Sequence, residues 1–377
     1  MLDSQRHLFD IPSEVVYLNT AYMSPLLNSV VKAIDRGVRS KSKPWEIKID
    51  DFYNNIERAR VLFSNLMNTN SQNIAIVPSA SYGIQVAANN IKIDKSKKIL
   101  ILEDQFPSNV YPWQKVAKEK NIEILRIRQG TFSSLTEAIL SHLDDRVEVA
   151  ALPNVLWTNG ALIDLIRIRK RCDDVGCKLV LDLTQSAGAM LIDFDKVRPD
   201  FAVIANYKWM LGPYTTGFLF VSEEYFDGEA LEEGWITRKD SKDFSNLVNY
   251  TDQYEYGAIR FDMGERSNFA LMPGVIAALQ QIDSWGIKNI QEKLSHQNEL
   301  LGKKLSSMGL HLIDKQQRSP HFLGATIPKG ARKDLVSRLA EKNIYLSERG
   351  GKVRITPHLW NEQKDFDKLI FELAKLL

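Results

Sequence analysis

The chain has 377 residues, 44% of them hydrophobic, which is enough for two domains with substantial cores. Its 49 basic and 47 acidic residues leave a formal charge of +2, and no basic cluster is interleaved with aromatics, so nucleic acid is not expected as a partner. The opening MLDSQRHLFDIPSE has no apolar signal core and no run approaches the roughly 18 residues of a spanning helix, so the expectation is a cytoplasmic protein with no membrane partner.

Residues 17–25, YLNTAYMSP, read as a short strand leading through a polar loop into a helix, with Ser24 as N-cap and Pro25 at the first helical position. Leu27, Val30, Val31, Ile34 and Val38 then form an apolar stripe at helical spacing, and Phe52, Ile56, Ala59, Phe63 and Leu66 form a second. In NIAIVPSAS, residues 73–81, a strand runs into small hydroxyl residues and then into a helical pattern over 82–90. A phosphate placed there meets free backbone N–H groups and the positive end of the helix dipole, with Ser81 adding a hydroxyl; a plain serine N-cap accounts for the same residues. A strand at 99–102 ends in a loop carrying Phe106. Strands near 122–127 and 147–152, separated by a helix near 134–143, continue the βαβ rhythm of a mostly parallel sheet. The loop PNVLWTNG, residues 153–160, brings Trp157 to another strand end. Cys172 and Cys177, the chain's two cysteines, have no second ligand pair for a zinc site and read as reduced structural thiols; no metal is expected.

The stretch 178–221 carries the chemistry. One apolar run, 179–181, stops on Asp182, and a second, 201–205, stops just before Tyr207 and Lys208. In open parallel sheets ligands sit beyond the carboxyl ends of the strands, so a carboxylate and an amine are aimed at one crevice from neighbouring strands. An ordinary ion pair at a sheet edge uses the same two residues. Pyridoxal phosphate requires them too: the amine forms the Schiff base and the carboxylate keeps the pyridinium nitrogen protonated. Gln185 follows one turn after Asp182, and Gly212, Pro213 and Gly217 make tight turns before a strand at 218–221.

A polar stretch follows Val221, then RFDMGERSNFALMPGVIAALQQI enters a long helix. Helices at 287–308, from Lys333 to Asn343 and from Asp365, with strands near 311–313 and 322–327, make an α+β unit. The expected division is a large domain, 18–255, and a small one, 256–377 with 1–17. SERGGKVRITPHLWN offers two arginines, Arg354 and Arg349, whose planar forks suit a carboxylate.

DLTQSAGA and NYKWMLGP, with the segments just quoted, resemble the aminotransferase class V family, which includes cysteine desulfurases, kynureninases and isopenicillin N epimerase-like proteins; the resemblance spans residues 17–361. It implies an α/β protein of the pyridoxal-phosphate fold type I, with a mostly parallel sheet of the seven-stranded type in the large domain. It implies pyridoxal 5'-phosphate held as an internal aldimine on Lys208, with Asp182 on the ring nitrogen and Gln185 near the phenolic oxygen. Ala80, Ser81 and Tyr207 are implied at the phosphate and Phe106 on the ring face. Trp157 stands where desulfurases carry a cofactor-contacting asparagine. A homodimer is implied, with the segment after Phe261 reaching the partner's phosphate; Glu265 replaces the usual threonine, which makes Asn268 the candidate. Arg354 matches the substrate-carboxylate position, with Arg349 as competitor. No cysteine stands in the late loop where desulfurases carry their nucleophile. The expected reaction is transamination between a small amino acid and a keto acid, ahead of kynureninase-like hydrolysis, C–S β-lysis and epimerisation. The alternative outside enzymes is a cofactor-binding regulator without turnover.

Overall fold

Strand runs that are apolar at every position demand a sheet covered on both faces, and the computed structural model, which describes residues 2–377 apart from Lys329, Ala331 and Lys333, contains one. In chain order the strands are β1 (Val16–Tyr17), β2 (Ile74–Val77), β3 (Lys98–Leu102), β4 (Glu123–Ile127), β5 (Val147–Pro153), β6 (Lys178–Asp182), β7 (Phe201–Ala205), β8 (Gly217–Val221), β9 (His311–Leu312), β10 (Leu323–Thr326), β11 (Ile344–Tyr345), β12 (Ser347–Arg349) and β13 (Lys352–Ile355). The helices are α1 (Asn28–Ser40), α2 (Asn54–Leu66), α3 (Ala80–Asn90), α4 (Tyr111–Lys120), α5 (Leu135–His142), α6 (Leu165–Val175), α7 (Phe194–Val197), α8 (Met272–Trp285), α9 (Ile287–Ser307), α10 (Leu335–Ala340) and α11 (Gln363–Ala374).

The large sheet has seven strands in the order β2-β8-β7-β6-β5-β3-β4. It is parallel except for β8, which runs antiparallel to both neighbours. Strand period assigns its two faces: Leu179 and Leu181 join the core under α1, α2, α5, α6 and α8, while Val180 joins the one under α3 and α4. A third core fills the C-terminal unit, where β12-β13-β10-β9 form an antiparallel sheet and β1 pairs with β11. Among the described residues no helix is long and apolar enough to cross a membrane.

Some local expectations shift. α1 begins at Asn28, not at Pro25, because Ser24 is used elsewhere: its N–H and Oγ donate to the Tyr207 carbonyl, at 3.0 and 3.4 Å. Val31 and Val38 of the expected stripe are 51% and 55% exposed, while Leu27 and Val30 of it are buried and are joined on the inner face by Ala33 and Gly37. Gly37 is needed there, since a Cβ would stand 2.3 Å from the Phe269 carbonyl of the segment leading into α8. α8 follows residue 255 in the chain, yet its buried side chains lie in the large core against α1 and α2. The helix expected from Lys333 begins at Leu335; Lys333 itself lies outside the described residues.

Candidate active site

At the carboxyl edge of the large sheet a cavity of about 360 Å³ opens, and most of the residues singled out in the sequence line it. β2 delivers Ala80 and Ser81, β3 delivers Phe106, β5 delivers Trp157, β6 ends on Asp182 with Gln185 beyond, and β7 delivers Tyr207 and Lys208. Ser79, Thr184, Tyr214 and Thr215 complete walls that sequence reasoning did not assign. Ser79 is the serine that caps α3: its Oγ accepts from the Tyr82 N–H at 3.2 Å and lies 3.0 Å from Ser81 Oγ. The signal was present, since Ser79 is the last extended residue before the helix pattern.

The lysine loop is fixed by its own hydrogen bonds. Asn206 takes the Thr216 carbonyl through its N–H at 3.0 Å, and the Gly212 N–H returns to the Asn206 carbonyl at 2.9 Å. These bonds hold Leu211 and Thr215 at φ of 54° and 66°, a left-handed conformation that non-glycine residues adopt only when their surroundings over-determine it.

Burial is the main influence on both charged residues. It brings the Lys208 amine down to about 8 from 10.5; Asp182 opposes that shift, while Arg354 and Arg349 add to it. Asp182 is pushed up by burial, against the pull of Thr184, whose N–H donates to Oδ1 at 3.0 Å, and of the Lys208 charge. Neither residue takes part in an ion pair among the described residues, so the ordinary sheet-edge pair is not formed. Lys208 Nζ instead lies 5.2 Å from the Phe106 ring centre and 5.4 Å from that of Tyr207.

This donor set fits pyridoxal phosphate. A buried amine without a counter-ion is free to form an imine, and a buried carboxylate with one N–H partner is short of a cation, which a ring N–H supplies. The α3 N-terminus with Ser79 and Ser81 offers donors to a phosphate. Phe106 meets Trp157 edge-on at 5.3 Å and presents an aromatic wall. Gln185 reaches the cavity, but most of its amide is already engaged: Nε2 donates to the Ala21 carbonyl at 3.0 Å, and Oε1 accepts from the Trp209 indole at 2.9 Å.

Arg354 is buried beside the cavity and has no carboxylate partner among the described residues. Its Nε and Nη2 donate to Ser347 Oγ at 3.0 and 2.8 Å, and Nη1 donates to the Trp157 carbonyl at 3.1 Å. Burial and the nearby Arg349 charge bring it down to about 10. Arg349 is half-buried and gives its Nη1 to the Glu348 carbonyl. Asn268 does not line the cavity of its own chain: its Oδ1 accepts the Leu271 N–H at 2.9 Å, at the start of α8. Cys172 and Cys177 are buried free thiols on α6 and just before β6. Among the described residues no group of His, Cys, Asp and Glu could hold a metal ion.

Several known proteins resemble this chain in sequence or in fold. The chain is 24% identical over 335 residues to a probable cysteine desulfurase of Methanothermobacter thermautotrophicus, covering 83% of this chain and 82% of that protein. It is 26% identical over 238 residues to a kynureninase of Bacillus anthracis, covering 60% of this chain and 55% of that one. Among solved structures, a variant of C-DES, a cystine C–S lyase, with glycine covalently linked to its PLP cofactor superposes with a TM-score of 0.88 at 18% identity, covering 99% of this chain and 100% of that one. The sequence pattern of the aminotransferase class-V family matches residues 16–363. The chain therefore belongs to the aminotransferase class-V family and is a pyridoxal-phosphate-dependent enzyme.

Proposed function

We propose that the protein transaminates a small α-amino acid, with a keto acid as second substrate. The observation that carries this reading is Lys208, a buried amine near 8, in a cavity whose lining holds, among the described residues, no histidine, no cysteine and no carboxylate besides Asp182. When bound, pyridoxal phosphate supplies the electron sink that makes the substrate's Cα–H acidic. An amine with this affinity is neutral often enough at neutral pH to take that proton and, once charged, to return it at an adjacent position. Asp182 holds a positive charge at the cavity floor. Ser79, Ala80, Ser81 and Tyr207 are assigned to the phosphate and Phe106 to the ring face. Arg354 uses three of its five N–H donors within the chain and keeps two for the substrate carboxylate.

A second reading, cleavage at the substrate's β-carbon, is supported by the names of the relatives, desulfurase and kynureninase. Because Cys172 and Cys177 are buried away from the cavity lining, C–S cleavage here would proceed by elimination without a cysteine relay. Single turnovers with a panel of amino acids separate the readings. Transamination yields a keto acid and leaves the cofactor in its amine form. Pyruvate with ammonia, alanine, or racemised substrate, with the aldehyde form restored, contradicts it.

We also infer that the working unit is a homodimer. The supporting observations are a cavity lined, among the described residues, by no cation except Lys208, an Asn268 that does not line the cavity of its own chain, and exposed Val31, Val38 and Trp45 on and after α1. A monomer at micromolar concentration with full cofactor occupancy overturns this reading.

A further inference from the structure

We propose that Trp209 is a positioning residue that aims the Gln185 amide at the cofactor. Gln185 lines the cavity and is 6% exposed, so its amide cannot turn to water for partners. Its orientation is settled by partners of fixed role. The Trp209 indole N–H can only donate and therefore faces Oε1, and the Ala21 carbonyl can only accept and therefore faces Nε2. A flipped amide sets donor against donor and acceptor against acceptor, losing both bonds in a buried place. One amide hydrogen remains for the cavity.

Trp209 is itself held fast. It is fully buried and meets the His321 ring edge-on at 4.4 Å. His321 Nε2 donates to the Gln185 main-chain carbonyl at 2.6 Å, and burial brings this histidine down to about 4, so the ring is neutral. On the other side Gly188, at φ 90°, lets the turn after Asp182 approach the lysine loop; a Cβ there would stand 2.4 Å from the Trp209 carbonyl. The residue next to Lys208 thus locks the turn that carries Asp182 and Gln185. The inference rests on the cofactor site and is independent of which bond the enzyme breaks.

A double-mutant cycle on the reconstituted holoenzyme tests it, with Trp209→Phe, Gln185→Ala and the pair. The readouts are pyridoxal phosphate affinity, by titration of cofactor-free protein, and the wavelength of the bound cofactor's visible band. In the native background W209F is expected to weaken affinity about tenfold, the scale of one buried amide bond left unmade, and to move the band. In the Q185A background it is expected to change affinity less than about twofold and leave the band in place, as coupled neighbours do. Equal effects in both backgrounds, or no effect in the native one, overturn the proposal. Gln185→Met and Trp209→Tyr stand in for any variant that fails to fold, with the same criterion.

Discussion

Two buried charge clusters in this molecule differ in one respect. Beneath the edge strand β2, Asp262 takes Arg60 Nη2 at 2.8 Å and Arg266 Nη1 on Oδ2, and the Ile76 N–H at 2.6 Å on Oδ1. Arg60 also gives to the Ile74 carbonyl and Arg266 to the Ile236 carbonyl. At the cavity, Asp182, Lys208 and Arg354 are 7%, 5% and 2% exposed, about as buried, yet none has an oppositely charged partner in contact among the described residues. Paired charge ties α2, β2 and the Asp262 segment together. Unpaired charge at the carboxyl edge of the sheet lowers stability and is offset by a ligand.

The largest contrast comes from Lys208→Met. Turnover is expected to fall by a factor on the order of 10⁴, the upper range for a lost acid–base group. Cofactor-free protein should become more stable, for a reason whose sign follows from the shift. Lys208 lies near 8 folded against 10.5 ordinarily, so the folded state binds this proton less well than the unfolded one. The penalty is fully present below pH 8 and fades as pH rises toward 10.5. In urea the variant should exceed the native chain at pH 7 by on the order of 3 kcal/mol, the gap closing at alkaline pH.

Asp262→Ala sharpens the comparison from the other side. It leaves Arg266 buried without an anion and Arg60 with only the partly exposed Glu57, and should lose about 3–5 kcal/mol in the same urea assay. A loss under about 1 kcal/mol means the cluster is no tie. Arg354→Ala should weaken substrate carboxylate binding by about 1.5–3 kcal/mol, read as a raised KM. An unchanged KM, with the rise seen in Arg349→Ala instead, moves the role to Arg349.

The elements that were legible in the sequence share a cause. β6 and β7 are apolar runs closed by a charge, so the strand, its end and the residue beyond are written locally. α1 was misplaced because Ser24 pairs with Tyr207, 183 residues away in sequence, and that tertiary bond outweighs its capping preference. Val31 is exposed because a five-residue stripe at helical spacing is wider than the face of α1 that packs on α8. Ser347 shows the same limit. It orients Arg354 from the first position of β12, and nothing local marks it out; its role depends on Asn19, whose Oδ1 accepts its hydroxyl at 2.7 Å from across the chain.

The unpaired amine of Lys208 is where the cofactor is expected to attach. Borohydride reduction of the holoenzyme followed by peptide mass spectrometry tests it most directly. Loss of the visible band and a reduced pyridoxyl phosphate adduct on Lys208 are the expected result. A band that survives reduction, or an adduct on another lysine with Lys208 unmodified, contradicts it.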